Sequence, residues 1–445
     1  MVVEVGGIIS DDTTWDADLV RVVSSVEVTS DAALTITPGT RVEFVGFSTL
    51  IVRGRLWAAG EPDQMVVFTA EDQMSDEGWA GIEFNNVSAS NDPSLISHCE
   101  FSYARGLSYD PLPPESRDDL IGGTACPEAG GALTIIGTSN LGIVNSIFYK
   151  NSAGFGGAIF CCYHAAPLIA GNLFIDNEAE FSGSVLYTTY SYPRLYNNTL
   201  VNNRCLHENI FYQAAALESH ISKPPLINNI IRSNFTNFYS GAQLIENKEF
   251  YTLYNNIELY AGGTGNIDLD AEFLLSGDHP YSLLPDSPCI DAGMEAGVVE
   301  YLPERDLIGH LRVSGDGIDM GAYEFDALMD IAWDDDFDAP EDGSMTSSDP
   351  GELRLACFPN PIIPANGLPG RISFALTEAG PITLELFDLQ GRLVKQFADK
   401  IYPAGTHTIA WDGRGREFSN LLRGVFILRL ETSNGSLGVK TMVLE

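Results

Sequence analysis

The central part of the chain contains basic side chains that could act in catalysis. Between residues 96 and 270 these are Arg105, Arg117, Lys150, Arg194, Arg204, Lys223, Arg232 and Lys248. A polysaccharide lyase needs such a group to remove the proton next to a carboxylate, with acidic residues nearby to hold calcium. In the repeat alignment given below, the basic residues do not share a column, since Lys150 aligns with Asp176. A lyase is therefore an alternative interpretation and not the leading one.

Acidic side chains could instead act in pairs, as in glycoside hydrolases, which place two carboxylates roughly 5 to 9.5 Å apart. Two groups of acidic residues qualify, namely Asp176, Glu178 and Glu180, and Asp110, Glu115, Asp118 and Asp119. Solvated loops explain both groups better, so a hydrolase is also kept only as an alternative. The sequence contains no GxSxG, HExxH or Walker A pattern, and nucleophilic, zinc and nucleotide chemistry have no support.

Calcium is the one cofactor that the sequence suggests. Asp268, Asp270 and Glu272 form an acidic triplet whose oxygens suit this cation. The run DDDFD at 334–338 has the spacing of an EF-hand loop, but Ala339 stands where the turn glycine belongs. The triplet is therefore the candidate metal site.

Aromatic side chains are candidates for sugar binding, because a ring can stack on a pyranose face. Several tyrosines fall in neighbouring repeats. Tyr187 and Tyr196 are expected to point inward or to stack on each other. Tyr190 and Tyr192, in the segment TTYSYP, are then the expected exposed pair and the candidate carbohydrate-binding residues.

Charge excludes some partners. The 445 residues include 61 Asp+Glu against 24 Lys+Arg, a formal net charge of -37. Such a chain cannot neutralise phosphates, so nucleic acid and anionic membrane surfaces are poor partners. No window reaches the ~18 consecutive apolar residues of a membrane span, and no transmembrane segment is predicted.

The seven cysteines do not have zinc-like spacing. We expect them to be buried small apolar groups with at most one disulfide bridge. Cys161 and Cys162 are neighbours, so on a strand they point to opposite faces and do not bond to each other.

Internal repeats indicate the architecture. Six segments align without gaps: LISHCEF, IVNSIFYKN, LIAGNLFIDN, LYNNTLVNN, LINNIIRSN and LYNNIEL. Their shared column is Cys99, Ser146, Asn172, Asn198, Asn229 and Asn256, with apolar columns three residues before and two after it. A further column, Asn151, Asn177, Asn203 and Asn234, predicts a second ladder of stacked amides.

A unit of about 26 residues with short strands and Asn or Gly corners is typical of a right-handed parallel β-helix. Near the C-terminus, the alternating segments ISFAL, ITLELFDL, HTIAW and GVFILRLE predict a small antiparallel sandwich. The predicted fold is therefore all-β, with a parallel β-helix followed by an immunoglobulin-like β-sandwich.

Three parts of the sequence resemble known families. Residues 6–84, with LTITPGTRVEFVG and LIVRGRLWAAG, look like the first turns of secreted pectate-lyase-like β-helix proteins. SPCIDAG and DMGAYEF, between 287 and 325, resemble the choice-of-anchor Q module that closes such helices. Residues 351–445 resemble the C-terminal sorting domain of type IX secretion, which is related to the immunoglobulin-like domain of flagellar hook-capping proteins. The matching sorting residues are Phe358, Pro359, Asn360 and Pro361, and Lys440 in the final KTMVLE.

The predicted domains are a β-helix at 1–267, a closing region at 268–328, an acidic linker at 329–350 and the sorting and anchoring domain at 351–445. The resemblance implies an exported protein, extracellular or on the outer cell surface, whose last domain contacts the secretion machinery. The leading interpretation of the β-helix is a structural or adhesive element that binds a polysaccharide or another cell-surface component. A self-assembling surface or filament subunit, hence a homo-oligomer, is a further alternative.

Overall fold

The computed structural model describes most of the 445 residues. It leaves out residues 1, 74–77, 107–129, 207–214, 221, 237–243, 246–249, 261, 275–278, 296–297, 299–300, 326–353, 359–369, 377–378, 389–392, 404, 412–423, 433–436 and 445. The chain divides into two compact units, residues 1–274 with 281–326, and residues 327–445 with 275–280. The four predicted domains divide the chain more finely than these two units, and their boundaries stay predictions.

The described residues form β-strands and no α-helix. The first strands are β1 (Val2–Ile9), β2 (Thr13–Trp15), β3 (Leu19–Val28), β4 (Ala33–Ile36), β5 (Arg41–Phe44), β6 (Leu50–Val52), β7 (Arg55–Ala59), β8 (Val66–Ala70), β9 (Ile82–Asn85), β10 (Ser94–Ser97) and β11 (Cys99–Ser102). The middle strands are β12 (Leu133–Ile136), β13 (Leu141–Val144), β14 (Ile147–Tyr149), β15 (Ser152–Phe155), β16 (Ile159–Cys162), β17 (Leu168–Ala170), β18 (Leu173–Ile175), β19 (Glu178–Ser182), β20 (Leu186–Thr189), β21 (Arg194–Tyr196), β22 (Thr199–Val201) and β23 (Arg204–Cys205).

The remaining strands of the first unit are β24 (Leu217–His220), β25 (Pro225–Ile227), β26 (Ile230–Arg232), β27 (Phe235–Thr236), β28 (Leu244–Ile245), β29 (Tyr251–Leu253), β30 (Asn256–Ile257), β31 (Phe273–Leu274) and β32 (Ser282–Leu283). The second unit contains β33 (Arg354–Phe358), β34 (Gly370–Leu376), β35 (Gly380–Asp388), β36 (Leu393–Tyr402), β37 (Gly405–Trp411), β38 (Gly424–Thr432) and β39 (Leu437–Leu444). No helix among the described residues has the length and apolar character to cross a membrane.

Parallel pairing between successive turns confirms the predicted β-helix. Strands β2, β4, β7, β10, β13, β17, β21, β25 and β29 form a nine-stranded sheet, and a 17-stranded sheet and a four-stranded sheet (β15, β19, β23, β27) form the other walls. Each strand pairs in parallel with the equivalent strand of the next turn, for example β17 with β21. A full turn, such as β13 to β16, therefore contributes one strand to the nine-stranded sheet, one to the four-stranded sheet and two to the 17-stranded sheet.

Buried side chains fill the interior of the β-helix. The apolar columns on either side of the shared column lie inside, and Phe68, Phe101, Phe148 and Phe174 stack at centroid distances of 4.7–4.9 Å. Asparagines line two edges of this core. Asn198 Oδ1 accepts from the backbone N–H of Asn172, and Asn203 Oδ1 accepts from that of Asn177. Both predicted ladders are confirmed in these turns.

The last member of the first ladder was predicted wrongly. Asn255 Oδ1, not Asn256, accepts from the backbone N–H of Asn229. Leu253 pairs with Ile227, which faces outward, so the last turn is shifted by one residue from the gapless alignment. The left-handed corner residues directly precede the ladder members, as Asn197 (φ 52°) and Asn228 (φ 59°) show.

A segment that we call the strap, residues 281–325 without 296, 297, 299 and 300, packs on the outside of the β-helix. Left-handed corner asparagines hold it, because their side-chain amides donate to its backbone carbonyls. The bonds are Asn145 to Arg305 O (2.9 Å), Asn197 to Asp319 O (2.7 Å) and Asn228 to Met294 O (3.1 Å). The region predicted to close the helix therefore runs along its side.

The second unit is an antiparallel sandwich. Strands β33, β34 and β37 form one sheet, and β36, β35, β38 and β39 form the other. Phe374 from the first sheet and Leu384 and Leu430 from the second lie in one buried cluster. Two sheets that share a core confirm the predicted sandwich, whereas its immunoglobulin-like character stays a prediction.

Candidate functional site

The turn that follows β16 and β20 brings aromatic side chains of two successive repeats together. We call Tyr163, His164, Tyr190 and Tyr192 the aromatic corner. The backbone N–H of His164 donates to Tyr190 O, and that of Tyr192 donates to Ala165 O, both at 2.7 Å. These bonds set the two turns in register with each other.

Three rings of the aromatic corner, those of Tyr163, His164 and Tyr192, are open to solvent. Tyr192 is 51% exposed and Tyr163 is 40% exposed. The imidazole of His164 is stacked with the Tyr192 ring, with centroids 6.5 Å apart and planes 12° apart. Tyr192 therefore lies where the sequence placed an exposed ring, whereas Tyr190 is only half-buried. Tyr163 and His164 were not predicted.

The backbone of the aromatic corner is strained. Tyr163 (φ 55°), His164 (φ 61°) and Tyr190 (φ 46°) have left-handed conformations, which are unfavourable for large side chains. In the turn before, Gly137 (φ 57°) holds the position that corresponds to Tyr163. A glycine would adopt this conformation without strain, whereas the tyrosines and the histidine here adopt it at a cost.

Tyr187 and Tyr196 were expected to point inward or stack on each other, and this was wrong. Both face outward, because in each strand the core residue is the neighbour, Leu186 or Leu195. The Tyr187 ring is stacked with Phe160 at 5.6 Å, and the Tyr196 ring lies 6.1 Å from Tyr301 of the strap.

Glu218 and His220 form a pair that the sequence analysis missed. His220 Nε2 lies 2.5 Å from Glu218 Oε1, and the Tyr187 ring is 5.3 Å from the imidazole. Glu218 is 6% exposed, and its Oε2 has no hydrogen-bond partner among the residues that the structure describes. Residues two apart in a strand point to the same face. The spacing of the acid and the histidine in LESH could therefore have revealed this pair.

Lys150 is unsuited to be the base of a lyase. Its ammonium lies 5.0 Å above the Tyr149 ring, and a hydrogen bond to Tyr149 raises the pKa of the lysine above its usual value. A protonated amine cannot accept a proton, so the geometry gives this role no support. Lys150 (φ 53°) and Asp176 (φ 54°) do hold the same corner position in successive turns, as the alignment predicted.

The acidic triplet has other partners. Asp268 Oδ1 accepts from Arg232 at 2.9 Å, and its Oδ2 accepts from the backbone N–H of Leu259. Asp270 Oδ1 accepts from the backbone N–H of Glu272. Within the described ranges, no three His, Cys, Asp or Glu side chains are grouped so that they could hold a metal ion. The calcium site at Asp268, Asp270 and Glu272 stays a prediction, and 334–338 lie outside the described residues.

Cys162 faces outward and is disulfide-bonded, whereas Cys161 faces the core with a free thiol. This arrangement confirms that the two neighbours do not bond to each other. Burial raises the pKa of the Cys161 thiol, so it has no nucleophilic role at neutral pH.

The predicted sorting residues are only partly described. Phe358 ends β33, and Lys440 lies in β39, paired with Leu428. Pro359, Asn360 and Pro361 lie outside the described residues.

The fold places the chain among parallel β-helix proteins. No protein-family model matches the chain, and no curated protein matches it. A solved structure that it resembles locally is PorZ of Porphyromonas gingivalis, described as an essential bacterial surface component of the type-IX secretion system. The identity is 18%, the TM-score is 0.17, and the match covers 20% of this chain and 11% of PorZ. So limited a likeness carries no argument about function.

Proposed function

We propose that the chain is an exported protein, extracellular or on the outer cell surface, whose β-helix binds a polysaccharide at the aromatic corner. The observation that carries this proposal is the exposure of Tyr163 and Tyr192 on successive turns. Exposed rings lose contact with water when they stack on the apolar face of a sugar.

Rigidity supports the same function. The corner is fixed by backbone hydrogen bonds between turns, so ordering the rings on binding costs little entropy. Tyr163 and Tyr190 adopt a left-handed backbone at a corner where Gly137 stands in the turn before.

For export we rely on the sequence of residues 351–445, whose motifs resemble a sorting domain that contacts the secretion machinery. The second unit has a core of its own, as a separate delivery domain requires. The disulfide at Cys162 agrees with an oxidising compartment outside the cytoplasm.

The test is binding of the full chain to immobilised neutral and acidic polysaccharides, with and without calcium. We expect binding to at least one of them, and Tyr192→Ala should weaken it about tenfold, since stacking of one ring contributes on the order of 1 kcal/mol or more. Phe47→Ala is the matched control, because Phe47 is 42% exposed but lies outside the aromatic corner. Equal binding by Tyr192→Ala and wild type would overturn the proposal.

A further inference from the structure

The strap crosses the corner of the β-helix where the chain passes from the nine-stranded sheet to the 17-stranded sheet. On one side of this corner, Tyr196 of β21 packs in one cluster with Val298 of the strap. On the other side, Val201 of β22 packs in one cluster with Tyr323. The strap therefore covers apolar outer surface on both walls.

Arg312 anchors the strap at this corner. Its side chain is buried and fits against Gly171 (φ 69°), which holds the corner position that Asn145 and Asn197 hold in the neighbouring turns. A Cβ atom at Gly171 would lie 2.8 Å from Arg312 Nη2, so the glycine makes room for the guanidinium. Nη2 donates to Asn145 Oδ1 at 3.4 Å and to Ala322 O at 3.2 Å. The β-helix thus has a recess for one buried cation of the strap.

Three carboxyl groups are buried around this one guanidinium, those of Asp306, Asp319 and Glu324. Arg312 Nη1 lies 3.3 Å from Glu324 Oε1, and the backbone N–H of Asp319 donates to Glu324 Oε2 at 3.0 Å. The backbone N–H of Glu324 donates to Asp306 Oδ2 at 2.9 Å. The three acids and Arg312 are therefore one connected cluster, which has more acidic groups than it can neutralise with a single cation.

Other titratable groups face this cluster. Among the described residues they are Asp291, Cys289, His310 and Tyr323 of the strap and His98 of the β-helix, with Glu61 beyond it. Burial raises the pKa of Cys289 to about 11, raises that of Tyr323 and lowers that of His98, so these three are uncharged at neutral pH. Arg312 is the permanent positive charge of the group, because a guanidinium does not lose its proton in a protein.

Two of the buried acids therefore hold protons in the closed strap. Burial raises the pKa of Asp319 from 3.8 to about 6 and that of Glu324 from 4.5 to about 9. The stabilisation that these protons give is complete below about pH 4. It is lost as the pH rises through about 6 for Asp319 and through about 9 for Glu324, since both would be ionised in water.

We infer that the strap is a latch, held shut by the protons on Asp319 and Glu324, which opens locally as the pH rises while the β-helix beneath it stays folded. Opening uncovers the outer apolar surface around Tyr196 and Val201 and frees the corner amides. This inference does not depend on the binding of a polysaccharide.

The cysteines of the chain report directly on the latch. The closed strap buries the free thiol of Cys289, whereas the free thiols of Cys99 and Cys161 lie inside the β-helix. The full chain is treated with iodoacetamide between pH 5.5 and 8.5, and mass spectrometry follows each cysteine. Rates are divided by that of a synthetic peptide of residues 285–293, which corrects for the reactivity of an open thiol. We expect the corrected rate at Cys289 to rise at least tenfold over this range, with Cys99 and Cys161 unlabelled.

Paired variants show which groups hold the latch. In Asp319→Asn/Glu324→Gln, whose side chains stay neutral, the rise at Cys289 should fall below about threefold. Asp316→Asn/Glu304→Gln is the matched control, because it removes the same charges from exposed positions of the strap and should keep the wild-type rise.

Three results would overturn the inference. One is a corrected Cys289 rate in the wild type that does not change with pH. The second is an equal rise in the wild type and in Asp319→Asn/Glu324→Gln. The third is labelling of Cys99 and Cys161 in step with Cys289, which would mean that the whole unit unfolds. If the double variant does not fold, Glu324→Gln alone takes its place and should at least halve the logarithm of the rise.

Discussion

At the scale of residues, the buried asparagines of the ladders replace backbone partners at the corners. Asn198 accepts from the backbone N–H of Asn172 and donates to Ile169 O and to Asn229. This role could be predicted, because amide side chains at a constant repeat have few other uses inside a β-helix. The shift to Asn255 could not be predicted, because the apolar residues of this strand, Tyr251 and Leu253, stand on either side of Thr252. A one-residue slip in register exchanges the inward and outward faces of a strand.

The candidate site, too, could be predicted only in part from the sequence. Tyr192 could be predicted as exposed, because it stands in a turn next to proline. The spacing in LESH could reveal Glu218 and His220 as a pair on one face of a strand, but only the strand register sets them beside Tyr187 and Thr189. Tyr163 and His164 could not be predicted as part of the site, because the left-handed backbone that distinguishes them cannot be read from the sequence.

Phe174 tests the core at this scale. Phe174→Ala should lower the free energy of unfolding of the β-helix by about 3–5 kcal/mol, because it removes a ring that is 1% exposed and stacked on Phe148. Phe47→Ala, which removes an exposed ring, should change it by less than about 0.5 kcal/mol. Urea unfolding measures both, and equal midpoints for the two variants would contradict the packing described here.

At the scale of elements, the strap is held by buried charge. Arg312 Nη1 lies 3.3 Å from Glu324 Oε1, and the backbone N–H of Asp319 donates to Glu324 Oε2. Burial raises the pKa of both carboxyl groups, that of Asp319 to about 6. The family resemblance implies that 268–328 closes the β-helix, which stays a prediction. The position of the strap on the side of the helix could not be predicted, because the corner asparagines that hold it look like any others in the sequence.

The pKa of Asp319 predicts how strap stability changes with pH. Because the pKa is raised above its ordinary value of 3.8, the protonated form is favoured in the fold. Its stabilisation is present below about pH 4 and is lost as the pH rises through about 6, with an upper bound of about 3 kcal/mol. Asp319→Asn, which stays neutral, should reduce the fall in stability between pH 4 and 7, and the raised pKa of Glu324 leaves part of that fall in place.

Asp316→Asn is the matched control, since this aspartate is in the strap but exposed. Denaturant midpoints at four pH values suffice for the comparison. If Asp319→Asn and Asp316→Asn show the same slope as wild type, Asp319 does not titrate in this range and the prediction is wrong.

At the scale of the whole molecule, the two units have separate cores and separate sheets. Composition alone could predict this division, because the segment 334–343 contains six acidic residues and few apolar ones, so it has little to bury.

A chain ending at residue 349 should therefore unfold at the same temperature as the β-helix of the full protein. The same truncation should fail to reach the cell surface, which fractionation of the producing cells would show. Surface delivery of the truncated chain would refute the sorting role of 351–445.

The central claim is that the aromatic corner binds a polysaccharide, and calorimetric titration tests it most directly. The wild type and the double variant Tyr163→Ala/Tyr192→Ala are titrated with the polysaccharide that binds best in the panel. The account predicts saturable binding by the wild type and at least a hundredfold weaker binding by the double variant, with unchanged melting temperatures. Binding of equal strength by the two proteins, or no heat of binding for the wild type with any polysaccharide of the panel, would contradict it.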